Sequence, residues 1–168
     1  MTLTSMGDSP STKGTFYIPS EKYASFLKTY YQYAFVKKEP LHIIERHQEV
    51  GPVVIDLDFR YEDSATPSRE YTQDFLHQIG IEYLNCLRKY IDFDSKPNSH
   101  HMFILEKNAP VRDESKKIIK DGVHLMFPYL VTTPNAQFIA REEVIPILAS
   151  KFSDLTSTNQ WDDIFDKS

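Results

Sequence analysis

Two aspartates separated by one residue interrupt an otherwise hydrophobic run. Residues 53–59 read Val-Val-Ile-Asp-Leu-Asp-Phe, so Asp56 and Asp58 are the charged members of a predicted β-strand. Side chains two residues apart on a strand point to the same side, which places these carboxylates about 7 Å apart on one face. Like charges at that distance repel, so the pair is best explained by a divalent cation that lies between them. The pattern therefore predicts a divalent-metal site.

A second predicted strand, Gly122–Phe127, carries a histidine in a similar setting. Three of its residues alternate toward a predicted core, namely Val123, Leu125 and Phe127. His124 is therefore expected on the opposite, open face. Gly122 has no side chain and would let a ligand approach closely, and Lys120 belongs to a basic stretch just before it. The two strands together predict a sheet surface suited to metal and phosphate.

Each of these signals also has a simpler explanation. An Asp-x-Asp pair is common by chance, and the strand could lie at a solvated sheet face where Arg60 pairs with the aspartates. A single strand histidine such as His124 is usually a structural residue. The acidic cluster near the end of the chain is ordinarily solvent-exposed, although Asp166 could supply a third carboxylate if it lies near the other motifs.

Composition narrows the class of protein. With 168 residues and 40% hydrophobic residues, the chain is large and apolar enough to form one folded domain with a sizeable core. A net charge of −5 argues against a protein that coats nucleic acid through its overall field. The single cysteine, Cys86, excludes an internal disulfide and a multi-cysteine zinc site. No signal peptide or long apolar segment is recognisable, so a soluble protein of a reducing compartment is expected.

Hydrophobic periodicity predicts the order of elements. The expected organisation is a disordered tail, residues 1–14, followed by one folded domain, residues 15–168. Within that domain the order is helix, two strands, helix, two strands, helix, with the Asp-bearing strand near the centre of the sheet. This order predicts an α/β (α+β) fold with helices packed on one face of the sheet and an open face left for a ligand.

These motifs together resemble the archaeo-eukaryotic primase superfamily, in particular the N-terminal primase domain of helicase-primases from large DNA viruses of the asfarvirus, giant-virus and poxvirus type. The family carries an Asp-h-Asp/Glu strand, matched by Asp56-Leu57-Asp58, and a small-residue-x-His strand, matched by Gly122-Val123-His124. Its third motif opens a run Asp-x-Ser-Val-Tyr in viral members. Asp166-Lys167-Ser168 resembles the first half of that run. The resemblance extends over residues 40–168.

The resemblance implies a DNA primase, that is, a nucleotidyltransferase that makes short primers in viral-type DNA replication. The implied catalytic and metal-binding residues, for two Mg²⁺ or Mn²⁺ ions, are Asp56, Asp58 and Asp166. The implied nucleotide-binding residues are His124, Lys120 and Gly122, with Lys107 or Arg60 as further sources of positive charge. The implied partners are a single-stranded DNA template, nucleoside triphosphates and a helicase domain or subunit, in the host cytoplasm or a viral factory.

Other functions stay open at this stage. The sequence lacks a helicase phosphate loop and ends where family members continue, so a domain incomplete at its C-terminus is expected. A catalytically inactive primase-like module that binds nucleic acid or a replication partner is one alternative. A metal-dependent nuclease, in which the aspartates and the histidine bind metal directly, is a second. An Asp-x-Asp glycosyltransferase is a third.

Overall fold

The structure, a computed structural model, describes residues 2–6, 13–45 and 49–167. The chain forms two compact units, Met1–Gln48 and Glu49–Ser168. Helices and antiparallel sheets are both present, which confirms the predicted mixed α/β class. Within the described residues, no helix combines the length and the apolar character needed to span a bilayer.

The first unit contains a three-stranded antiparallel sheet and a helical segment. Strand β1 (Thr2–Met6) lies between β2 (Lys13–Tyr17) and β3 (Ile43–Glu45). The helical segment begins with a 3₁₀ turn, Ser20–Lys22, continues as α1 (Tyr23–Tyr31) and ends in a π-helical turn, Gln32–Val36. The helix predicted near the start of the chain is therefore present.

The predicted disordered tail over residues 1–14 is wrong for the part that the structure describes. β1 bonds to a strand on each side, so its backbone donors and acceptors have partners, and Leu3 is buried. The short polar residues of this segment suggest a tail only because local composition does not reveal pairing with distant strands. Residues 1 and 7–12 lie outside the described residues, so for them the predicted tail stays a prediction.

The second unit is built on a four-stranded antiparallel sheet. Its long strands are β4 (Gly51–Glu62) and β7 (Ile118–Thr132), which pair along almost their whole length. Strand β5 (Phe103–Glu106) pairs with the other edge of β7, and β6 (Val111–Asp113) pairs with the beginning of β7. The histidine strand β7 is therefore the central strand. The prediction that the Asp-bearing strand β4 is central is wrong, because β4 ends the path β4-β7-β5.

The helices cover one face of this sheet. Helix α2 (Gln73–Leu87) is capped by the Thr72 hydroxyl, and α3 (Pro134–Lys151) by the Thr133 hydroxyl, each of which accepts a backbone N–H three residues ahead. Residues on this face of β4 and β7 are almost completely buried: Val53, Ile55, Leu57, Phe59, Val123, Leu125 and Phe127. The opposite face of the sheet is more exposed, as the alternating pattern of both strands predicts.

The segment that follows α3 covers the free edge of β4. The side chain of Asn159 acts like a neighbouring strand, because its amide nitrogen donates to the Asp58 carbonyl at 2.8 Å and its oxygen accepts from the Arg60 N–H at 3.0 Å. A four-residue helix, α4 (Trp161–Ile164), follows, and Phe165 then bridges to Leu57. These contacts satisfy an edge that would otherwise be open to unwanted strand pairing.

Candidate active site

Three acidic residues from two distant parts of the chain lie near one another at the edge of β4. Asp56 and Asp58 project from β4, Asp56 partly buried and Asp58 exposed. The backbone N–H of Asp166 donates to the Asp56 carbonyl at 3.0 Å, which fixes Asp166 beside the strand. The structure thus brings together the three acidic residues that the sequence predicts, although 108 residues separate Asp58 from Asp166.

A buried arginine holds the segment that carries Asp166. Arg141 of α3 is only 2% exposed. Its Nε and Nη2 atoms donate to the Phe165 carbonyl at 2.8 and 2.6 Å, and Nη2 also donates to the Asp162 carbonyl at 2.7 Å. The guanidinium therefore fixes the backbone on both sides of the turn that precedes Asp166. The sequence offers one weak signal for this role, since Arg141 directly follows a buried position of α3.

His124 lies opposite Asp56 in the β4–β7 pair. Its Nε2 is 3.5 Å from a carboxylate oxygen of Asp56, and its side chain is about half exposed, at 54%. The ring can therefore bond to Asp56 while a large part of it still faces solvent. Residues directly opposite each other in an antiparallel pair lie on the same face, so the register of these strands places His124 on the same face as Asp56.

Gly122 lies opposite Asp58, and because it has no side chain it leaves open space on that face of the sheet. The ammonium nitrogen of Lys107 is 2.9 Å, and a carboxylate oxygen of Asp58 is 3.2 Å, from the point where a β-carbon at residue 122 would stand. Any side chain there would displace one of these charged groups. Glycine at this position therefore lets the Lys107 ammonium and the Asp58 carboxylate lie close to the backbone of β7.

Lys120, which the resemblance implies as a nucleotide-binding residue, lies two residues before Gly122 on β7, away from the acidic residues. It pairs with Arg60 in the sheet register, one step beyond Gly122 and Asp58, and its ammonium forms an ion pair with Asp113 at 2.7 Å. The structure therefore does not bring Lys120 into the group of carboxylates.

Arg60 does not pair with the aspartates. Among the described residues, the Arg60 guanidinium forms no ion pair with Asp56 or Asp58, so the simpler explanation in which Arg60 neutralises the aspartates finds no support.

The electrostatics of the site centre on Asp56. Partial burial raises the pKa of the Asp56 carboxyl above its ordinary value, the side chain of His124 opposes that rise, and the Asp58 and Asp166 carboxylates add to it. Lys107 has a smaller, lowering effect on the same pKa. The site thus holds more negative charge than its protein neighbours neutralise, which is the condition under which a cation binds.

The chemistry of the donors suits a divalent cation. Three carboxylates offer the hard oxygen ligands that Mg²⁺ and Mn²⁺ prefer. Within residues 2–6, 13–45 and 49–167, however, no three acidic, histidine or cysteine side chains are already gathered as a ligand set. Asp56, Asp58 and Asp166 would therefore have to turn toward one another to share an ion.

Behind the sheet, a second arginine anchors the strands that carry Lys107 and Gly122. Arg69 donates from Nε to the buried carboxylate of Asp121 at 2.9 Å and from Nη2 to the Lys107 carbonyl at 2.7 Å. The same Asp121 carboxylate accepts the Gly122 N–H at 2.9 Å. Sequence reasoning missed Arg69 and Asp121, because a loop arginine and a strand aspartate on the core side belong to no motif.

Comparisons with known proteins give a family for this chain and two viral relatives. The family model for the C962R protein N-terminal AEP domain matches residues 3–168. A protein of Acanthamoeba polyphaga mimivirus named "Putative helicase L207/L206" is 33% identical over 157 residues, which cover 92% of this chain and 16% of that protein. One of Invertebrate iridescent virus 6 named "Putative helicase 184R" is 28% identical over 141 residues, which cover 77% of this chain and 14% of that protein. The chain thus spans about one seventh of the length of these curated relatives.

Proposed function

The chain belongs to the family of the C962R protein N-terminal AEP domain, which is of the archaeo-eukaryotic primase type, and from that membership we propose that it makes short primers on single-stranded DNA by nucleotidyl transfer. The reaction would join the 3′-hydroxyl of a growing strand to the α-phosphate of a nucleoside triphosphate and release pyrophosphate. The relatives are large viral proteins named as helicases. A helicase domain or subunit is accordingly the proposed partner, in viral DNA replication.

One observation carries this proposal. Asp56, Asp58, Asp166 and His124 come from three separate chain segments, and they meet on one open face of the sheet. No core packing requires this, since the hydrophobic residues of the same strands point the other way. The Asp58 and Asp166 carboxylates raise the pKa of the partly buried Asp56 carboxyl, and a cluster of like charges of this kind is more typical of a functional site than of a packing arrangement.

Asp56, Asp58 and Asp166 are the residues that would hold Mg²⁺ or Mn²⁺. Two such ions, when bound, would supply Lewis-acid activation of the attacking hydroxyl and neutralise charge on the phosphates. The protein's own contribution is to fix the three carboxylates. β4 sets the spacing of Asp56 and Asp58, and the Arg141 bonds to the Phe165 carbonyl keep Asp166 beside them.

His124 is the proposed donor to the phosphates of the incoming nucleotide. Its exposed ring lies beside Asp56, so a nucleotide near the carboxylates would come within its reach. Gly122 leaves space for close approach two residues away along the strand. Lys120, which the resemblance implies for the same role, would first have to leave Asp113. Positioning and charge supply the catalysis in such a site, and no covalent nucleophile is required.

The first test is calorimetric titration of dATP with Mn²⁺ into this chain and into an Asp56→Asn/Asp58→Asn double variant. The wild-type chain should bind, and the double variant should bind at least about 10-fold more weakly, because both proposed metal ligands lose their charge. Circular dichroism and thermal unfolding must show that both chains are folded. No binding by a folded wild-type chain would contradict the proposed function and favour the catalytically inactive module.

Primer synthesis tests the reaction itself. With a single-stranded DNA template, nucleoside triphosphates and Mn²⁺, Asp58→Asn should lower the rate by a factor of about 10³, which is the scale on which lost charge stabilisation acts in such sites. Asp58 is the sharper single test because its side chain is exposed and its loss should leave the fold intact. Cleavage of the DNA without any triphosphate would instead identify a nuclease.

A further inference from the structure

Lys107 is a charged side chain at the site without a bonding partner. It follows β5, and its backbone N–H donates to the Gly122 carbonyl at 3.3 Å, which continues the β5–β7 ladder by one residue. Its ammonium nitrogen lies over Gly122. Within the described part of the chain that ammonium makes no hydrogen bond and no ion pair, even with Asp58, whose carboxylate borders the same open space.

Lys120 provides the contrast. In the sheet, Lys107 lies beside Gly122, and Lys120 lies two residues before Gly122 on β7. The Lys120 ammonium, however, is bonded to Asp113 at 2.7 Å, on the side away from the carboxylates. A phosphate that binds Lys120 must first break that ion pair, whereas Lys107 can accept a new partner without losing one. An unpaired ammonium is the better anion site when desolvation costs are equal.

The position of Lys107 is fixed from the other side of the sheet. Arg69 binds the Lys107 carbonyl, the Glu106 carboxylate at 3.2 Å and the Asp121 carboxylate at 2.9 Å. Asp121 in turn binds the Gly122 N–H. The guanidinium fork therefore fixes both backbones at the point where Lys107 crosses Gly122, and a planar group with several donors suits that task better than a lysine ammonium would.

We propose that Lys107 binds the triphosphate of the nucleotide, and that Arg69 is a positioning residue that holds Lys107 over Gly122 through Asp121 and the Lys107 carbonyl. This inference rests on the proposed function, which supplies the nucleoside triphosphate. Lys107 is well placed because its ammonium lies over Gly122, on the same side as the Asp58 carboxylate, and is bonded to no carboxylate of the described residues. A cation in that position attracts a phosphate group to the edge of the acidic cluster.

The experiment measures the dissociation constant of dATP with Mg²⁺ for the full chain and three single variants. Lys107→Met removes the charge and keeps much of the aliphatic chain, and Lys107→Arg keeps the charge. Lys120→Met is the comparison variant, since it makes the same change on the same face at a lysine that is already paired with Asp113. Loss of a charge-assisted phosphate contact should weaken binding about 10-fold or more in Lys107→Met, and less than about 3-fold in Lys120→Met. Lys107→Arg should retain most of the affinity.

A double-mutant cycle tests the positioning role of Arg69. Arg69→Lys keeps a positive charge beside buried Asp121, so the fold should survive, but it cannot reach all three partners. We expect it to weaken dATP binding about 3-fold in the wild-type background and by less than about 1.5-fold in the Lys107→Met background. Equal effects in both backgrounds would mean that Arg69 does not act through Lys107, and they would overturn this part.

The outcomes separate this inference from the proposed function. Wild-type binding with a selective loss in Lys107→Met supports the inference. Wild-type binding with no loss in Lys107→Met, or with an equal or larger loss in Lys120→Met, overturns the inference and leaves the proposed function in place. A folded wild-type chain that does not bind dATP overturns both.

Discussion

The two faces of the β4–β7 pair are made from alternate residues of the same strands, yet they have opposite properties. The helix-facing side contains Leu57 and Leu125, which are 0% exposed. The open side contains Asp56, Asp58 and His124, which face solvent and one another. The side-chain period of a strand is two, so a register shift of one residue would exchange the faces completely. The hydrophobic core therefore determines where the charged groups of the site lie.

The helix-facing side is not wholly apolar, and its polar groups support the open side. Arg69, Asp121 and Arg141 lie behind or beside the sheet, and each bonds to backbone near a residue of the site. Arginine suits these positions because one guanidinium can satisfy several carbonyl and carboxylate oxygens. The polar groups behind the sheet thus fix the backbone of the site, whereas the charged groups on the open face form the site itself.

Removing a core side chain should have the largest effect on stability. Leu57→Ala deletes a fully buried side chain from the middle of β4 and should lower the free energy of unfolding by about 3–5 kcal/mol. Chemical denaturation measures this loss. The control is Asp58→Asn on the adjacent, open-face position, which should change the free energy by less than about 1 kcal/mol. Comparable losses in the two variants would contradict the division of roles between the faces.

Replacing Arg141 should have the next largest effect, because it leaves buried carbonyls without a donor. Arg141→Met should cost about 2–4 kcal/mol of unfolding free energy, and it should release the segment that carries Asp166. Hydrogen exchange of the Asp166 amide, which bonds to the Asp56 carbonyl, reports that release directly. In the control Glu142→Gln, which alters only an exposed partner of the same arginine, the Asp166 amide should remain protected.

Local patterns were sufficient to predict the faces of the two long strands and the open side of the sheet. Period-two alternation in residues 53–59 and 122–127 determines which side chains share a face, and the structure confirms it. Charged residues in such runs are unusual, and this is why Asp56, Asp58 and His124 could be selected from one sequence. The structure places Asp166 beside them, but the spacing of motifs along the chain could not show how the chain returns to the edge of β4.

Features that depend on distant pairing could not be predicted. The strand Thr2–Met6 looks like a polar tail because its stabilising partners are β2 and β3. The central position of β7 follows from pairing with three strands, which no local pattern encodes. Lys107 and Lys120 differ because only Lys120 has an ion-pair partner among the described residues, Asp113. That ion pair forms only because β6 lies beside β7.

The raised pKa of Asp56 predicts a smaller effect, which depends on pH. The folded state binds this proton more tightly than the unfolded chain, so the contribution of the carboxyl to stability is favourable below its unfolded pKa and is lost as the pH rises through its folded pKa. Asp56→Asn should therefore unfold about 1–3 °C higher than wild type at pH 7.5, without divalent cations. The difference should diminish toward pH 4. A less stable Asp56→Asn variant at pH 7.5 would show that the ionised carboxylate stabilises the fold.

The smallest expected effect compares two buried tyrosines on the helix-facing side. The Tyr61 hydroxyl is buried and has no hydrogen-bond partner among the described residues, whereas the Tyr83 hydroxyl donates to the Gln137 carbonyl at 3.1 Å. Tyr61→Phe removes a desolvated hydroxyl and should leave the free energy of unfolding unchanged or raise it by less than about 1 kcal/mol. Tyr83→Phe removes a hydrogen bond and should lower the free energy of unfolding by about 1 kcal/mol. Denaturant titration of both variants gives the signs. A loss in Tyr61→Phe as large as that in Tyr83→Phe would mean that the Tyr61 hydroxyl is stabilised by a bond in solution.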